Sequence, residues 1–458
     1  MHDTVTGFGE PVPSISFVTL LYIRNLLPGQ LIKPTIMNNS LLDVIVVGGG
    51  QAGLCASYYL KQSGLQHLLL ERGEIGESWR SQRWDSFVVN TPNKYNLLAG
   101  DAYDGDDPDA FMSAIGLAGM MRDYAAKMQL PVRTHAKVIA IEKNKDCFKV
   151  SIESNGAAED LFARKVVIAS GYQSEKMLPA FAASIPENIK QLHVSEFRNE
   201  ASLPEGAVLV VGSAQSGCQV AEDLLDNGRK VYLSTSMVAR IPRKYRGRDI
   251  IDWMYDLKFF DARKDQMEPA MANMKPPQLT GVGGNRTISL QSLAAKGAVI
   301  LGKLAGINGN VLQLQPNAAA HVQFGDMFSG RIKGMIDEFI SNNNVSAPAP
   351  EPEQADLPDA TASCANCCTE LDLAENNIRS VIWATGFSGN FDYIKLPVRD
   401  NEGNFQHNNG VSVVDGIYLL GFPWLRNRKS ALINGAKEDA EVICNEIHRS
   451  LREATALV

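Results

Sequence analysis

The chain has 458 residues, a length typical of two or three domains. Apolar residues make up 45% of it and charged residues 21%, which are ordinary values for a globular protein with a substantial core. The formal net charge of −7 argues against a nucleic-acid partner, because binding to phosphate backbones needs a basic surface. The cysteines are odd in number and scattered, which favours a reducing cytoplasmic compartment over a disulfide framework.

Residues 1–36 precede the first strong structural pattern. Their apolar runs, 18–23 and 26–32, are interrupted by polar residues and by Pro28 and Gly29, so neither reaches the roughly 20 residues that span a bilayer. The segment also lacks the basic start and the cleavage site of a signal peptide. We predict an N-terminal extension outside the fold and no membrane span, with a membrane-surface anchor as the alternative.

Residues 41–71 have the pattern of one complete βαβ unit. The β-branched run 43–47 is typical of a strand buried on both faces. A helical segment follows at 52–61, and a second apolar strand covers 67–70. This order predicts an α/β fold built on a parallel sheet.

The turn inside this unit carries a dinucleotide fingerprint, Gly48-x-Gly50-x-x-Gly53. The first glycine permits the tight turn, the second lets a pyrophosphate approach the backbone, and the third lets the helix pack on the strand. Glu71 ends the second strand, where a carboxylate accepts hydrogen bonds from a ribose. The candidate cofactor-binding residues here are Gly48, Gly50, Gln51, Ala52, Gly53, Glu71 and Arg72. A glycine-rich turn without a ligand is the alternative.

Residues 73–95 follow the ribose acid directly, so we expect them to lie over the cofactor. Gly76, Trp79 and Arg83 fit a G-x-x-W-x-x-x-R segment, and Asn90 follows in VVNTPNKY. In these motifs the chain resembles the class B flavin-dependent monooxygenases, the group that contains the flavin-containing monooxygenases and the YUCCA-type enzymes. The resemblance implies that Gly76, Trp79 and Arg83 bind the flavin and that Asn90 is catalytic, near the reactive edge. A simple Asx turn at Asn90 is the alternative.

Three features of the next hundred residues are less specific. The acidic loop 101–109 lacks the spacing of a calcium loop, so we predict a solvated loop and no metal site. Strands 132–142 and 147–152 have the pattern of a β-meander, and strand 165–171 matches the family's first A-T-G segment, with Ser170 in place of the threonine. His193 and Phe197 fit only half of the family's linker fingerprint, which favours a hydrogen-bonded linker histidine over a catalytic one.

A second dinucleotide pattern occupies residues 207–232, with the same succession of strand, glycine turn, helix and strand. Alanine replaces the middle glycine at position 214, but the segment fits the G-x-x-x-S-G form found in the family. The candidate cofactor-binding residues are Gly212, Ser213, Gln215, Ser216 and Gly217.

The second strand of this unit ends in Ser234 and Thr235 rather than in an acid, and Arg240 follows. Hydroxyls and arginine accept a 2′-phosphate that a carboxylate would repel, so we predict NADPH rather than NADH. The surrounding cation-rich segment 240–249 is interpreted either as a phosphate clamp or as an exposed basic turn.

Residues 343–363 are rich in proline, alanine and acids and predict a solvent-exposed linker. Cys364, Cys367 and Cys368 follow it. They supply too few ligands for a closed zinc site within the chain, but a redox dithiol remains possible beside the simpler interpretation as a mobile loop.

The C-terminal part carries the remaining motifs. Residues 380–386 are a buried strand ending in the family's second A-T-G segment, which makes Thr385 and Gly386 cofactor-side candidates. Another short strand covers 416–421. In the family the following helix start lies close to the isoalloxazine, which adds Arg428 and Ser430.

We therefore predict two Rossmann-like domains. An FAD domain is formed by residues 37–198 and 370–458, an NAD(P)H domain by the inserted residues 199–340, and a linker by 341–369. The resemblance implies a cytoplasmic flavoprotein oxidoreductase, in which NADPH reduces FAD and a C4a-(hydro)peroxyflavin oxygenates a small organic substrate with O₂. Its substrate stays open, and a homodimer is the default expectation.

Two alternatives to this function remain. One is a disulfide reductase or oxidase that uses the Cys364, Cys367 and Cys368 cluster. The absence of a C-x₄-C pair after Gly53, and Gly421-Phe422 where disulfide reductases have Gly-Asp, argue against it. The other is a non-catalytic flavin-bound sensor or interaction module.

Overall fold

The structure is a computed structural model that describes residues 41–267, 274–357 and 368–456. The predicted extension at 1–36 and two of the clustered cysteines, Cys364 and Cys367, lie outside these ranges. Cys368 is described and is partly buried, and its thiol donates to the Glu370 carbonyl oxygen at 3.2 Å.

The described helices run in chain order as α1 Gln51–Gln62, α2 Glu77–Ser81, α3 Ala114–Lys127, α4 Gln215–Asp226, α5 Ile250–Asp256, α6 Leu290–Ala295, α7 Ala318–Asn342 and α8 Ile433–Ala456. The described strands are β1 Leu41–Val47, β2 His67–Leu70, β3 Val132–Arg133, β4 Lys137–Asn144, β5 Cys147–Ser154, β6 Ala157–Ile168, β7 Glu175–Lys176, β8 Lys190–His193, β9 Ala207–Val211, β10 Val231–Ser234, β11 Lys244–Tyr245, β12 Arg248–Asp249, β13 Val299–Leu301, β14 Leu304–Asn308, β15 Val311–Leu314, β16 Glu370–Asp372, β17 Ile378–Trp383, β18 Phe387–Ser388, β19 His407–Asn408, β20 Val411–Ser412 and β21 Ile417–Leu419.

The first sheet has the order β19-β20-β21-β6-β1-β2-β3, and the antiparallel β4 and β5 extend it from β6. The five strands in the order β21-β6-β1-β2-β3 are parallel to one another, whereas β20 pairs antiparallel with β21. The β-branched run of β1 is buried on both faces, as a parallel strand between covering layers must be. Helices α1 and α8 pack together on one face, where the Cys444 thiol reaches the Ala56 carbonyl oxygen at 3.5 Å.

The second sheet is parallel throughout, in the order β13-β10-β9-β17-β8. Its centre is β9, which pairs with β10 on one side and with β17 on the other. A small antiparallel sheet of β14, β15 and β16 lies beside it in the chain. The predicted α/β class with two Rossmann-like units is confirmed.

The predicted domain boundaries are wrong at two strands. Strands β8 and β17 were assigned to the flavin unit, within 37–198 and 370–458, but both pair in the second sheet. The buried β-branched sequence of β17 suits the centre of either sheet, and only its tertiary partners decide between them. The second unit therefore extends from β8 to β17.

Candidate dinucleotide sites

The first glycine turn connects β1 to α1. Gly48 has φ of 115°, and a Cβ there would clash with the Ala169 carbonyl oxygen, so only glycine fits. A Cβ at Gly53 would clash with the carbonyl oxygen of Gly48, which keeps α1 tight on the turn. Around Gly50, by contrast, no heavy atom lies within 4 Å of a built Cβ. The turn is thus tightly packed at Gly48 and Gly53, whereas space remains free beside Gly50.

The N-terminus of α1 opens onto this space. Its N-cap residue, Gly50, provides no side-chain hydrogen bond, and the first turn contains no acid. Gln51 and Ala52 begin the helix, so their backbone N–H groups remain available to a ligand. Free N–H groups and the helix dipole together favour an anion such as a pyrophosphate.

Glu71 is buried at the end of β2, where two backbone amides hold its carboxylate. The amide of Gly49 donates to one oxygen at 2.6 Å, and the amide of Gly73 donates to the other at 2.8 Å. The side chain is therefore fixed beside the glycine turn. Arg72, the next residue, is exposed.

The loop after β2 is tied to the same turn. Gly76, with φ of 71°, is the N-cap of α2, and its amide donates to the Gly49 carbonyl oxygen at 3.1 Å. The Arg83 guanidinium lies over the Trp79 ring at 4.9 Å and over the Phe87 ring at 5.5 Å. Burial among these groups lowers the pKa of Arg83 to about 10. The motif residues Gly76, Trp79 and Arg83 are thus brought together.

The second glycine turn connects β9 to α4 and repeats this design. Gly212 has φ of 106°, and a Cβ there would lie 2.5 Å from the Ala384 carbonyl oxygen. Ala214 is the N-cap of α4 and provides no side-chain cap, so this helix start is also open to an anion. Gln215, Ser216 and Gly217 form the first helical turn, and the buried Ser213 precedes them.

Ser234, Thr235 and Arg240 do not form the predicted 2′-phosphate site. The Ser234 hydroxyl donates to the Gly302 carbonyl oxygen at 3.1 Å, and the Thr235 hydroxyl donates to the Leu301 carbonyl oxygen at 2.7 Å. Both side chains are buried. Their hydroxyls join β10 to the end of β13, so they are unavailable to a cofactor.

Arg240 is bound by two carboxylates of its own chain. It is only 2% exposed, and it donates to Asp326 at 2.6 Å and to Asp356 at 2.8 Å. Asp356 belongs to the segment that was predicted as a solvent-exposed linker. Most of the described residues of that segment, 343–357, are indeed exposed, but Asp356 attaches it to the second unit. The sequence shows clustered charges but not their burial, so it predicted neither the burial of Arg240 nor its pairing with two carboxylates.

Asn90 connects the two halves of the site. Its side-chain amide donates to the Gln215 oxygen at 3.1 Å and accepts from the Gln219 amide at 2.9 Å, both on α4. Its carbonyl oxygen accepts from Arg243 at 2.8 Å. Since the same loop holds the first turn through Gly76, it spans both dinucleotide sites. An isolated Asx turn is therefore not what fixes Asn90.

Arg243 is a residue that sequence reasoning missed. Its side chain is fully buried and pairs with Asp249, and its guanidinium lies over the Phe111 ring at 4.8 Å. Burial lowers the pKa of Arg243 below the usual range of arginine. It fastens the Asn90 loop to the start of α5. Its position inside a cation-rich turn was the only sequence signal.

Thr385 and Gly386 lie at the second unit rather than beside the first turn. Ala384, which precedes them, contacts Gly212, and the Thr385 hydroxyl donates to the Met177 carbonyl oxygen. The Gly386 carbonyl oxygen lies 3.0 Å from His193 Nε2. His193 is buried, and burial lowers its pKa. His193 is hydrogen-bonded as predicted, but it ends strand β8 of the second sheet rather than lying in a linker.

The loop between β21 and α8 reaches the first turn, because a Cβ at Gly421 would lie 2.6 Å from that of Ala52. Ser430 is buried in this loop, where its hydroxyl accepts from the amides of Arg426 at 3.1 Å and Asn427 at 3.2 Å. Its hydroxyl therefore stabilises the turn. The Arg428 guanidinium lies over the Phe259 ring at 3.7 Å, at the junction with the second unit.

In the described part of the chain, no group of three or more His, Cys, Asp or Glu side chains is arranged to hold a metal ion. Within the same ranges, no helix combines the length and the apolarity needed to cross a bilayer.

Comparisons with known proteins agree with this architecture. A family model described as pyridine nucleotide-disulphide oxidoreductase matches residues 45–246. An uncharacterized CzcO-like oxidoreductase of Geobacillus kaustophilus is 31% identical over 410 residues, which cover 89% of this chain and 98% of the relative. Indole-3-pyruvate monooxygenase YUCCA1 of Oryza sativa is 28% identical over 211 residues, which cover 44% of this chain and 50% of the relative.

Solved structures share the fold at low identity. A flavin-containing monooxygenase from Stenotrophomonas maltophilia has a TM-score of 0.59 at 17% identity, over 90% of this chain and 100% of that chain. A bacillithiol disulfide reductase from Bacillus cereus has a TM-score of 0.58 at 14% identity, over the same shares. The glycine turns and the sheet topology agree with the Geobacillus relative, which shows that the chain belongs to the CzcO-like oxidoreductases.

Proposed function

We propose that the protein is an FAD-dependent, NADPH-consuming monooxygenase that oxygenates a small organic substrate. The observation that carries this proposal is the Asn90 loop, which joins two open glycine turns through the amide of Gly76 and the side chain of Asn90. A relay between two dinucleotides needs both to be held in one fixed geometry. The scattered free thiols favour a cytoplasmic location.

The residues present fit FAD at the first turn. The open space at Gly50 and the uncapped start of α1 suit a pyrophosphate, and Glu71 suits a ribose. NADPH would bind at the start of α4. Bound together, the two cofactors supply hydride transfer and O₂ activation, which no side chain of the protein can supply.

The 2′-phosphate of NADPH needs partners other than those predicted from the sequence. Ser236 lies two residues after the end of β10 and is partly exposed. Its amide donates to the Ser213 hydroxyl at 2.9 Å, which ties it to the second glycine turn. Lys303 is exposed just beyond β13, next to the strand end where Leu301 bonds to Thr235. We propose that Ser236 and Lys303 receive the 2′-phosphate, because a hydroxyl and an ammonium suit it.

Asn90 would act between the two cofactors. Its contacts with Gln215 and Gln219 fix its side chain relative to α4, and Arg243 fixes its backbone. A preorganised amide costs no reorganisation during the reaction and provides a hydrogen-bond donor in a site shielded from water.

Cys55, the cysteine next to the first glycine turn, gives no support to the disulfide reductase alternative. Cys55 on α1 is fully buried, and burial raises the pKa of its thiol to about 12. A thiol in that state is a poor nucleophile at neutral pH. The shared fold of a disulfide reductase means that chemistry, rather than shape, must decide between the two functions.

An isotope experiment tests the proposal. The purified holoenzyme is incubated with NADPH, oxygen-18 gas and a panel of amines, sulfides, ketones and carboxylic acids, and products are analysed by mass spectrometry. We expect one class to gain a single labelled oxygen atom. NADPH-dependent reduction of a small disulfide, abolished when Cys364, Cys367 and Cys368 are changed to serine, would instead establish the reductase.

A further inference from the structure

A histidine lies beside the place proposed for the 2′-phosphate of NADPH. His321 is near the start of α7, and its Nδ1 atom lies 2.8 Å from the hydroxyl oxygen of Thr235, the residue after β10. Ser236, one of the two proposed phosphate partners, comes next in the chain. His321 is 5% exposed, so its ring lies just below the surface. The imidazole therefore adjoins the strand end at which the phosphate would bind.

The other proposed partner, Lys303, is attached to the same helix. Its backbone amide donates to the side-chain oxygen of Asn317, the N-cap of α7, at 2.9 Å. The amide of His321 donates to the Asn317 carbonyl oxygen at 3.2 Å, so these two residues lie one turn apart on one face of the helix. The loop is also tightly packed, because a Cβ at Gly302 would clash with the Gln315 carbonyl oxygen. Lys303 and His321 are thus fixed at the same end of α7.

The hydrogen bonds at Thr235 determine which ring nitrogen of His321 carries the proton. The Thr235 hydroxyl has one hydrogen, which it donates to the Leu301 carbonyl oxygen at 2.7 Å. Its oxygen therefore accepts from the imidazole, which places a hydrogen on Nδ1 of His321. In the neutral ring, Nε2 is then the unprotonated nitrogen, and it points away from Thr235 because the two nitrogens lie on different sides of the ring. A proton taken up by His321 would bind at Nε2.

The surroundings keep this ring neutral in the free protein. Burial lowers the pKa of His321, and the nearby charge of Lys303 lowers it further. The groups that β10 and β13 place against the ring are a hydroxyl and a carbonyl oxygen, both uncharged. Further along α7, the carboxylate of Asp326 is bound by Arg240 at 2.6 Å. An imidazolium beside an ammonium is unfavourable until an anion binds between them.

We propose that His321 is a third ligand of the 2′-phosphate and that it takes up a proton from solvent at Nε2 when NADPH binds. A phosphate dianion near Ser236 and Lys303 would stabilise the imidazolium, because a nearby opposite charge favours the charged form. The imidazolium would then donate a charge-assisted hydrogen bond, which is about twice as strong as a neutral one. NADH has no 2′-phosphate and would bind without this proton. The inference rests on the proposed function, which places the phosphate at Ser236 and Lys303.

The test is a calorimetric titration of the oxidised holoenzyme with NADP⁺ and with NAD⁺ at about pH 6.5 and about pH 8, on either side of neutrality. The dissociation constant of NADP⁺ should rise about tenfold from the lower to the higher pH, because binding is coupled to the uptake of a proton. That of NAD⁺ should stay constant. Titrations in two buffers of different ionisation enthalpy should show proton uptake with NADP⁺ and none with NAD⁺.

Two variants separate the charge of the ring from its structural role. H321N keeps an amide nitrogen at the position of Nδ1, so the hydrogen bond to Thr235 is retained, but it has no atom at Nε2. H321Q places an amide near the position of Nε2 but does not titrate. In both variants the affinity for NADP⁺ should be the same at the two pH values. H407N is the control, because His407 lies in β19 of the first sheet and its pKa is also lowered by burial and by a lysine. It should keep the pH dependence of the wild type.

A dissociation constant of NADP⁺ that is independent of pH in the wild type would overturn the proposal, and so would a pH dependence that H321N and H321Q both retain. Equal proton uptake with NADP⁺ and NAD⁺ would overturn it as well. K303M, titrated in parallel, should weaken the binding of NADP⁺ but not of NAD⁺. If it does so while the pH dependence is missing, the placement of the phosphate stands and the role of His321 alone is refuted.

Incorporation of oxygen-18 into the substrate panel is measured on the same samples. A protein that takes up the proton with NADP⁺ but oxygenates nothing refutes the proposed monooxygenase alone. A protein that oxygenates a substrate without the pH dependence refutes the role of His321 alone.

Discussion

Replacing Glu71 with glutamine should lower both the stability of the apoprotein and its affinity for FAD. The carboxylate accepts one hydrogen bond on each oxygen, from Gly49 at 2.6 Å and from Gly73 at 2.8 Å. Hydrogen bonds to a charged group contribute about 1.5–3 kcal/mol each. Glutamine keeps one acceptor oxygen and turns its NH₂ group towards the other amide. We therefore expect the free energy of unfolding of the apoprotein to fall by about 2–3 kcal/mol.

The assay is urea unfolding of the apoprotein followed by a fluorescence titration with FAD. The dissociation constant of FAD should rise at least about tenfold, because the amide cannot accept both ribose hydroxyls and the turn is less ordered. E74Q is the matched control. Glu74 is half exposed and pairs with His135 at 2.8 Å, and such surface pairs contribute about 0–1 kcal/mol. If E71Q were as stable as E74Q and bound FAD normally, the role given to Glu71 would be refuted.

Three further predictions concern the second site and pH. Changing Asn90 to leucine removes its side-chain hydrogen bond to Gln215. We expect flavin reduction by NADPH to slow about tenfold in rapid-mixing experiments, while FAD stays bound. An unchanged rate would disprove the positioning role of Asn90. Changing Lys303 to methionine should raise the KM for NADPH about tenfold and leave that for NADH unaltered, whereas equal effects on both would exclude a 2′-phosphate contact. Burial lowers the pKa values of His67 and His193 below 6.5, so the unfolded chain binds more protons, and the urea midpoint should fall as the pH drops below that value. A midpoint independent of pH would contradict this, and H67Q should make the decline shallower.

The local sequence was sufficient to predict the two βαβ units. The glycines at 48, 50 and 53, with apolar runs on either side, are typical of a strand, a tight turn, a helix and a second strand. The structure has the strand, the helix and the second strand that this pattern predicts. The position of Glu71 followed from the length of the unit. The hydrogen bonding of His193 was also predicted from the sequence, but its place in strand β8 was not.

Tertiary pairing decided what the sequence could not. Strand β17 is buried on all sides and suits either sheet, so its place beside β9 depends on partners far along the chain. Arg240 was chosen for its charge, but Asp326 and Asp356, which neutralise it, come from helix α7 and from the acidic segment.

The most direct test of the central claim is a stopped-flow experiment on the purified holoenzyme. The flavin is reduced anaerobically with NADPH, mixed with O₂, and followed by its absorption spectrum. A monooxygenase predicts a transient species that absorbs between the reduced and oxidised flavin bands and decays faster when the substrate is present. Direct return to oxidised flavin with stoichiometric H₂O₂ would contradict the account and would point to an oxidase or a reductase.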